Sequence, residues 1–197
     1  MAHNNDLELV SVQSEEQDVK ISCTGFSLNH FEVPRFRLCE GDWLRLRLPK
    51  EPKQRTELID ILTGSTHHPS VQLFDKATDA QPYNMTPPSA LGKVLRLLGY
   101  WTIGRHIQAV LRISMEESGR ILQSIGIKKD YSIDCCGGET RILIALAIAF
   151  QCSEIVAFDH CVEPPRGKIQ SFVDRSRPGH SILEFTWPSE AEKRLVF

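Results

Sequence analysis

The chain is short of the features that would place it in a class at once. No apolar run exceeds nine residues, Ile142 to Phe150, well under the roughly 20 that a membrane-spanning helix needs. Neither sign of charge dominates: 23 Lys and Arg against 25 Asp and Glu leave a net charge of −2. That supplies no basic field for nucleic acid, and there is no acidic tail. The opening MAHNNDLELVSVQSEEQDVK is polar and acidic, unlike an export signal. The six cysteines, Cys23, Cys39, Cys135, Cys136, Cys152 and Cys161, include no C-x-x-C pair. They read as reduced thiols rather than a disulfide frame. Cys135, Cys136, Cys152, His160 and Cys161 can be drawn together as a metal site, but their spacing matches no zinc pattern, so no zinc is expected.

What is present is an ordinary globular composition, 41% hydrophobic and 24% charged over 197 residues. That suits one α/β domain with a real core, or at most two small ones. The expected layout is a flexible lead-in over 1–18 and a single domain over 19–197. Val19–Cys23 and Phe31–Leu38 read as strands, with Pro34 bending the second. Trp43–Leu48 alternates strictly with period two, so Arg45 and Arg47 share one face, which is wet, pairs with carboxylates or binds an anion; a half-exposed strand is the plainest of these readings. The segment Pro49–Thr56 reads as a loop, Glu57–Gly64 as an amphipathic helix with a glycine stop, and Val71–Asp75 as a strand. Lys76–Pro88 reads as loop. Apolar periodicity then makes Ser89–Gly126 mostly helical.

The most informative stretch is Ile133 to His160. It contains a polar turn, Cys135-Cys136-Gly137-Gly138-Glu139, a helix from about Thr140 to Gln151, and an apolar strand, Ile155–Phe158, that ends on Asp159-His160. Adjacent glycines at a helix start let backbone N–H groups and the positive end of the helix dipole meet an anion. Open α/β sheets keep ligand chemistry at the carboxyl ends of buried strands.

This order resembles the signature helix and Walker B strand of ATP-binding-cassette (ABC) ATPases. Cys135 stands for the family's Leu, Cys136 for its Ser, then come Gly137, Gly138 and Glu139. Arg141 stands for the helix-start Arg and Asp159 for the Walker B Asp, and His160 occupies the place of the catalytic Glu. Counting back from Gly64 puts Thr56 on the Walker A Ser/Thr, Arg55 on its Lys, Gln54 on its second Gly and Pro49 on its first. Thr86-Pro87-Pro88 stands where the Q-loop glutamine belongs, with Gln81 a remote substitute, and Trp187 takes the place of the switch histidine.

The resemblance implies an α/β fold of the P-loop NTPase type: an ABC nucleotide-binding domain with a mixed sheet, an added β-contribution from the N-terminus, and a helical subdomain over about 89–130. It implies ATP and Mg²⁺ as ligands, with Arg55, Thr56, Cys136, Gly137, Gly138 and Glu139 toward nucleotide and Thr56 and Asp159 toward the metal. Asp159 and His160 would be the catalytic pair. It also implies membrane permease subunits and a second cassette, identical or different, as partners at the cytoplasmic face of a membrane. The departures point to a degenerate, export-type subunit that scaffolds or couples and hydrolyses little ATP itself. Two other readings fit the residues: an active ATPase with a non-standard site, and a non-ABC α/β interaction or metal/thiol protein.

Overall fold

A computed structural model of the protein describes residues 7–11, 18–80, 85–159, 167–176 and 178–186. The described elements follow in the order β1 (Leu7–Ser11), β2 (Val19–Cys23), β3 (Phe26–Leu28), β4 (Phe31–Val33), β5 (Phe36–Cys39), β6 (Trp43–Arg47), α1 (Pro52–Leu62), β7 (Val71–Leu73) and β8 (Ala77–Ala80). Then come α2 (Ala90–Leu97), α3 (Ile103–Leu111), α4 (Met115–Ser124), α5 (Gly138–Cys152), β9 (Ile155–Asp159), α6 (Gly167–Ser176) and β10 (Ser181–Thr186). They fall into two compact units: a sheet unit of residues 1–79, 153–163 and 175–197, and a helical unit of residues 80–152 and 164–174.

The main sheet of the first unit has the order β1-β6-β10-β9-β8. Strand β10 runs parallel to both β6 and β9, while β1 is antiparallel to β6. The register sets Leu183 beside Leu44 and Ala157, and Phe185 beside Leu46. These residues form one core with Leu58, Ile61 and Leu62 of α1. Because side chains alternate along a strand, the other face carries Trp43, Arg45, Ile182, Glu184, Val156 and Phe158. Glu184 is buried there. It accepts from Trp43 Nε1 at 2.9 Å and pairs with Arg45 at 3.0 Å. Arg45 is thus paired with a buried carboxylate, where the alternation alone favours a half-exposed face. A second sheet, β5-β2-β7, and the hairpin β3-β4 complete the unit. Lys20 of β2 bridges Asp75 at 2.7 Å and Glu154 at 2.9 Å.

Four local expectations are corrected. Residues 1–18 do not lack regular structure throughout, since Leu7–Ser11 forms the edge strand β1. Pro34 divides Phe31–Leu38 into β4 and β5 rather than bending one strand. Helix α1 begins at Pro52, five residues before the expected start. Proline fits the first helical position, where its fixed φ is already helical and its missing N–H would have had no partner. Part of the Lys76–Pro88 loop is β8.

The helical unit is α2 to α5 with most of α6. Helix starts are capped by side chains: Ser89 accepts from Gly92 N, Thr102 from Arg105 N, and Ser114 and Glu117 form a reciprocal capping box. Its core joins Met85, Trp101, Ile103, Ile107, Leu122, Ile133, Cys136 and Ile144. Phe150 of α5 meets Phe172 of α6 edge to face, with centroids 5.9 Å apart. No helix among the described residues is long and apolar enough to cross a membrane.

Candidate functional site

The expected site residues divide between the two units. Arg55 and Thr56, with Asp159 at the end of β9, belong to the sheet unit; Cys136, Gly137, Gly138 and Glu139 belong to the helical unit. His160, Gln81 and Trp187 lie outside the described residues.

The segment after β6 is closed on itself. Glu51 caps α1 with an extended backbone and no side-chain hydrogen bond, which leaves a carboxylate-bearing residue where an anion would approach the helix dipole. Arg55 donates from Nη2 to the Lys50 carbonyl at 2.8 Å, and its backbone N–H donates to the Glu51 carbonyl. The Thr56 hydroxyl donates back to the Pro52 carbonyl at 3.2 Å. Gln54 is buried. Pro49 and Pro52 have no N–H to offer. A phosphate-binding loop works by aiming successive N–H groups inward around a free cation. Here two of those donors are absent by covalent structure, and the cation that stands for the lysine is turned onto the backbone of its own chain. The residues of this segment do not fit a triphosphate.

The turn in the helical unit has the opposite character. A 3-10 turn, Ile133–Cys135, leads through Cys136 and Gly137 into α5. Arg141 holds the bend by donating from Nε to the Cys136 carbonyl at 3.0 Å. Asp134 takes a 2.6 Å salt bridge from Arg96 of α2. The Cys136 thiol turns inward onto the Ser132 carbonyl at 3.5 Å, and burial pushes it above its ordinary range. Its sulfur therefore points into the core of the unit. The Glu139 carboxylate has one oxygen 3.9 Å from Lys168 Nζ, and its other is buried without a hydrogen-bond partner among the described residues.

Gly137 and Gly138 are exposed, and a Cβ on either would meet nothing within 4 Å. Neither has the positive φ that favours glycine. The chain's own packing and backbone therefore make no demand for glycine at these two places. What the pair provides is outward room for close approach to the N–H groups of α5's first turn, which have no partner within the helix. Three braces of this turn were not singled out from sequence: Arg96, Asp134 and the reach of Arg141 back to Cys136. The only signal for them was a cation on the inner side of α2 and an arginine four residues after Gly137.

No protein-family model and no curated protein matches the chain. Solved structures do. One is cbiO1 from Clostridium perfringens, part of the ABC transporter complex cbiONQ, at 13% identity and a TM-score of 0.61, covering 88% of this chain and 80% of that one. An ATP-binding cassette of an ABC transporter, in its ADP conformation, matches at 12% identity and a TM-score of 0.54, covering 89% and 83%. The archaeal ribosome recycling factor, solved with the ribosomal stalk protein aP1, matches at 10% identity and a TM-score of 0.57, covering 90% of this chain but 35% of its own. The protein has the α/β fold of ABC nucleotide-binding domains, a P-loop NTPase fold. That fold is common to transporter cassettes and to the recycling factor.

Proposed function

We propose that the chain is a degenerate ATP-binding-cassette subunit of an export-type membrane transporter, one that completes or scaffolds a partner cassette and hydrolyses little ATP itself. The observation that carries this reading is the contrast within one fold. Gly137 and Gly138 are open and answer no need of their own chain, while the segment Pro49–Thr56 is closed by its own prolines and hydrogen bonds. In this reading the N–H groups at the start of α5 face the γ-phosphate of a nucleotide held by the partner's phosphate loop. ATP and Mg²⁺, when bound by the partner, supply the phosphoryl chemistry; this chain contributes a fixed positive dipole end and exclusion of water. The partner cassette is a second copy or a related chain. The pair sits on permease subunits at the cytoplasmic face.

Equilibrium binding of ATP with Mg²⁺, measured for the chain alone and mixed with a candidate partner cassette, tests this. Negligible binding alone and tighter binding by the mixture support it. Strong binding by the isolated chain, or ATP turnover of ordinary cassette size, overturns it.

A further inference from the structure

The helical unit carries an apolar stripe that its own core leaves outside. Helix α2 turns Gly92 and Leu95 inward, while Leu91, Val94, Leu97 and Leu98 stand 51 to 87% exposed. Their spacing of three, three and one residues sets them on one side of the helix. The stripe ends in a built tip rather than a frayed end. Gly99 turns the chain at φ +77°, and the N–H groups of Leu98, Gly99 and Tyr100 all bond back to carbonyls of α2. Tyr100 is left 63% exposed. Backbone bonds from Ile103 N to Tyr131 O and from Gly104 N to Lys129 O, both 3.0 Å, hold the stretch 129–131 beside the start of α3. That brings a second exposed tyrosine, Tyr131, and the exposed Lys128, Lys129 and Asp130, one net positive charge, to the start of α3. From Pro88 to Gly104 there is no Asp or Glu. Arg96 is engaged by Asp134, and Lys93 is exposed beside the leucines.

Leucines at the centre with tyrosine and lysine at the rim is the chemistry that suits the boundary between hydrocarbon and anionic headgroups. The leucines enter the acyl region, tyrosine rings sit at headgroup level, and lysines reach phosphate. We infer that this face of α2 docks directly on an anionic lipid bilayer. A second copy of the chain suits the face less well. A two-fold contact opposes the stripe to itself and sets the Lys93 side chains of the two copies near each other. The few side chains here also fall short of the roughly 20–30 residues a side that a stable protein interface takes. The inference rests on the proposed membrane role only for a bilayer at which to act, and it adds a contact made without any permease.

The test is cosedimentation of the full chain with vesicles of phosphatidylcholine alone and of phosphatidylcholine with phosphatidylglycerol, without any membrane subunit. The expected result is binding to the anionic vesicles, little to the zwitterionic ones, and weakening by salt and by Lys93→Glu. Leu97→Asp, at a site 87% exposed, lowers partitioning about tenfold or more, with circular dichroism verifying that the variant folds. No binding by the unmodified chain, equal binding by Leu97→Asp, or equal binding to both vesicle types overturns the inference. So does a dimer in solution that Leu97→Asp converts to monomer, which would assign the face to protein. Copurification with permease subunits and ATP binding read the proposed function separately, so either idea can fail alone.

Discussion

Two stretches of this chain take opposite positions toward an anion. Pro49–Thr56 spends its polar groups on itself: an arginine on the Lys50 carbonyl, a threonine on the Pro52 carbonyl, prolines where N–H groups would be. Cys135–Glu139 is braced from behind by Arg141 and Arg96 and leaves its two glycines open in front. The difference lies in what each stretch leaves available: the first turns its polar groups onto its own backbone, and the second leaves room in front of the first-turn N–H groups of α5. The two stretches belong to different units of the fold.

The largest expected effect tests how firmly the closed stretch is supported. Glu184 secures β6, which leads into it, and Glu184→Ala removes the buried carboxylate shared by Arg45 and the Trp43 N–H, at a cost of about 3 kcal/mol. Urea denaturation measures it, and a loss below about 1 kcal/mol would remove that support from the comparison. Next comes the core beneath the open turn. His106 is buried with Nδ1 unpartnered among the described residues, and burial, with Arg96 adding, lowers its pKa from 6.5 to about 4. The native state then binds fewer protons than the unfolded chain between those values. Stability is full above about pH 6.5 and falls with acid until about pH 4, by roughly 3 kcal/mol in all. His106→Phe flattens that slope while the carboxylates still titrate. An unchanged pH profile would show that the imidazole is not buried neutral.

A third experiment uses glycine itself. A Cβ at Gly92 would lie 2.7 Å from Pro87 Cβ and 3.0 Å from the Trp101 ring, so Gly92→Ala costs about 2 kcal/mol. Rebuilding the closed stretch with Pro49→Gly, Gln54→Gly and Arg55→Lys tightens Mg²⁺-ATP binding about tenfold, near 1.4 kcal/mol. If calorimetry finds no gain, Pro49, Gln54 and Arg55 are not what closes it. The smallest effect is the sharpest. Gly138→Ala changes stability by about 0.5 kcal/mol or less, yet it weakens the nucleotide response of a mixed cassette pair. Loss of stability there would mean the glycine serves its own chain after all.

Much of this was legible in the residues. The alternation of Trp43–Leu48 gave β6 and set its arginines on one face, but it favoured a half-exposed face, and the pairing of Arg45 with Glu184 shows only in the structure. The unbroken apolar run gave α5, and the strand after it ended at Asp159 as read. Apolar periodicity located the three helices α2 to α4. What stayed hidden depended on partners distant in sequence. Leu7–Ser11 is a strand only because β6, more than 30 residues on, accepts it in register. Glu184 looks like an outward residue in an alternating strand until Trp43 and Arg45 are brought across to it. Lys53–Thr56 are too polar to show a helical period, so the start of α1 was invisible except through Pro52. Of the site, the glycine pair could be read directly. The inward turn of the Cys136 thiol and the salt bridge of Asp134 could not.

The position of β10 has a consequence for how the protein is made. Residues 181–186 fill the slot between β6 and β9, so the last of the described strands of this sheet is its middle member. Until residues 181–186 are made, β6 and β9 lack the strand that pairs with both, and Leu183 and Phe185 are missing from the core that Leu44, Leu46 and Ala157 share. The five-stranded sheet therefore closes only after residue 186 has been added. A premature stop anywhere before codon 181 yields not a slightly shortened protein but one with its central plank missing.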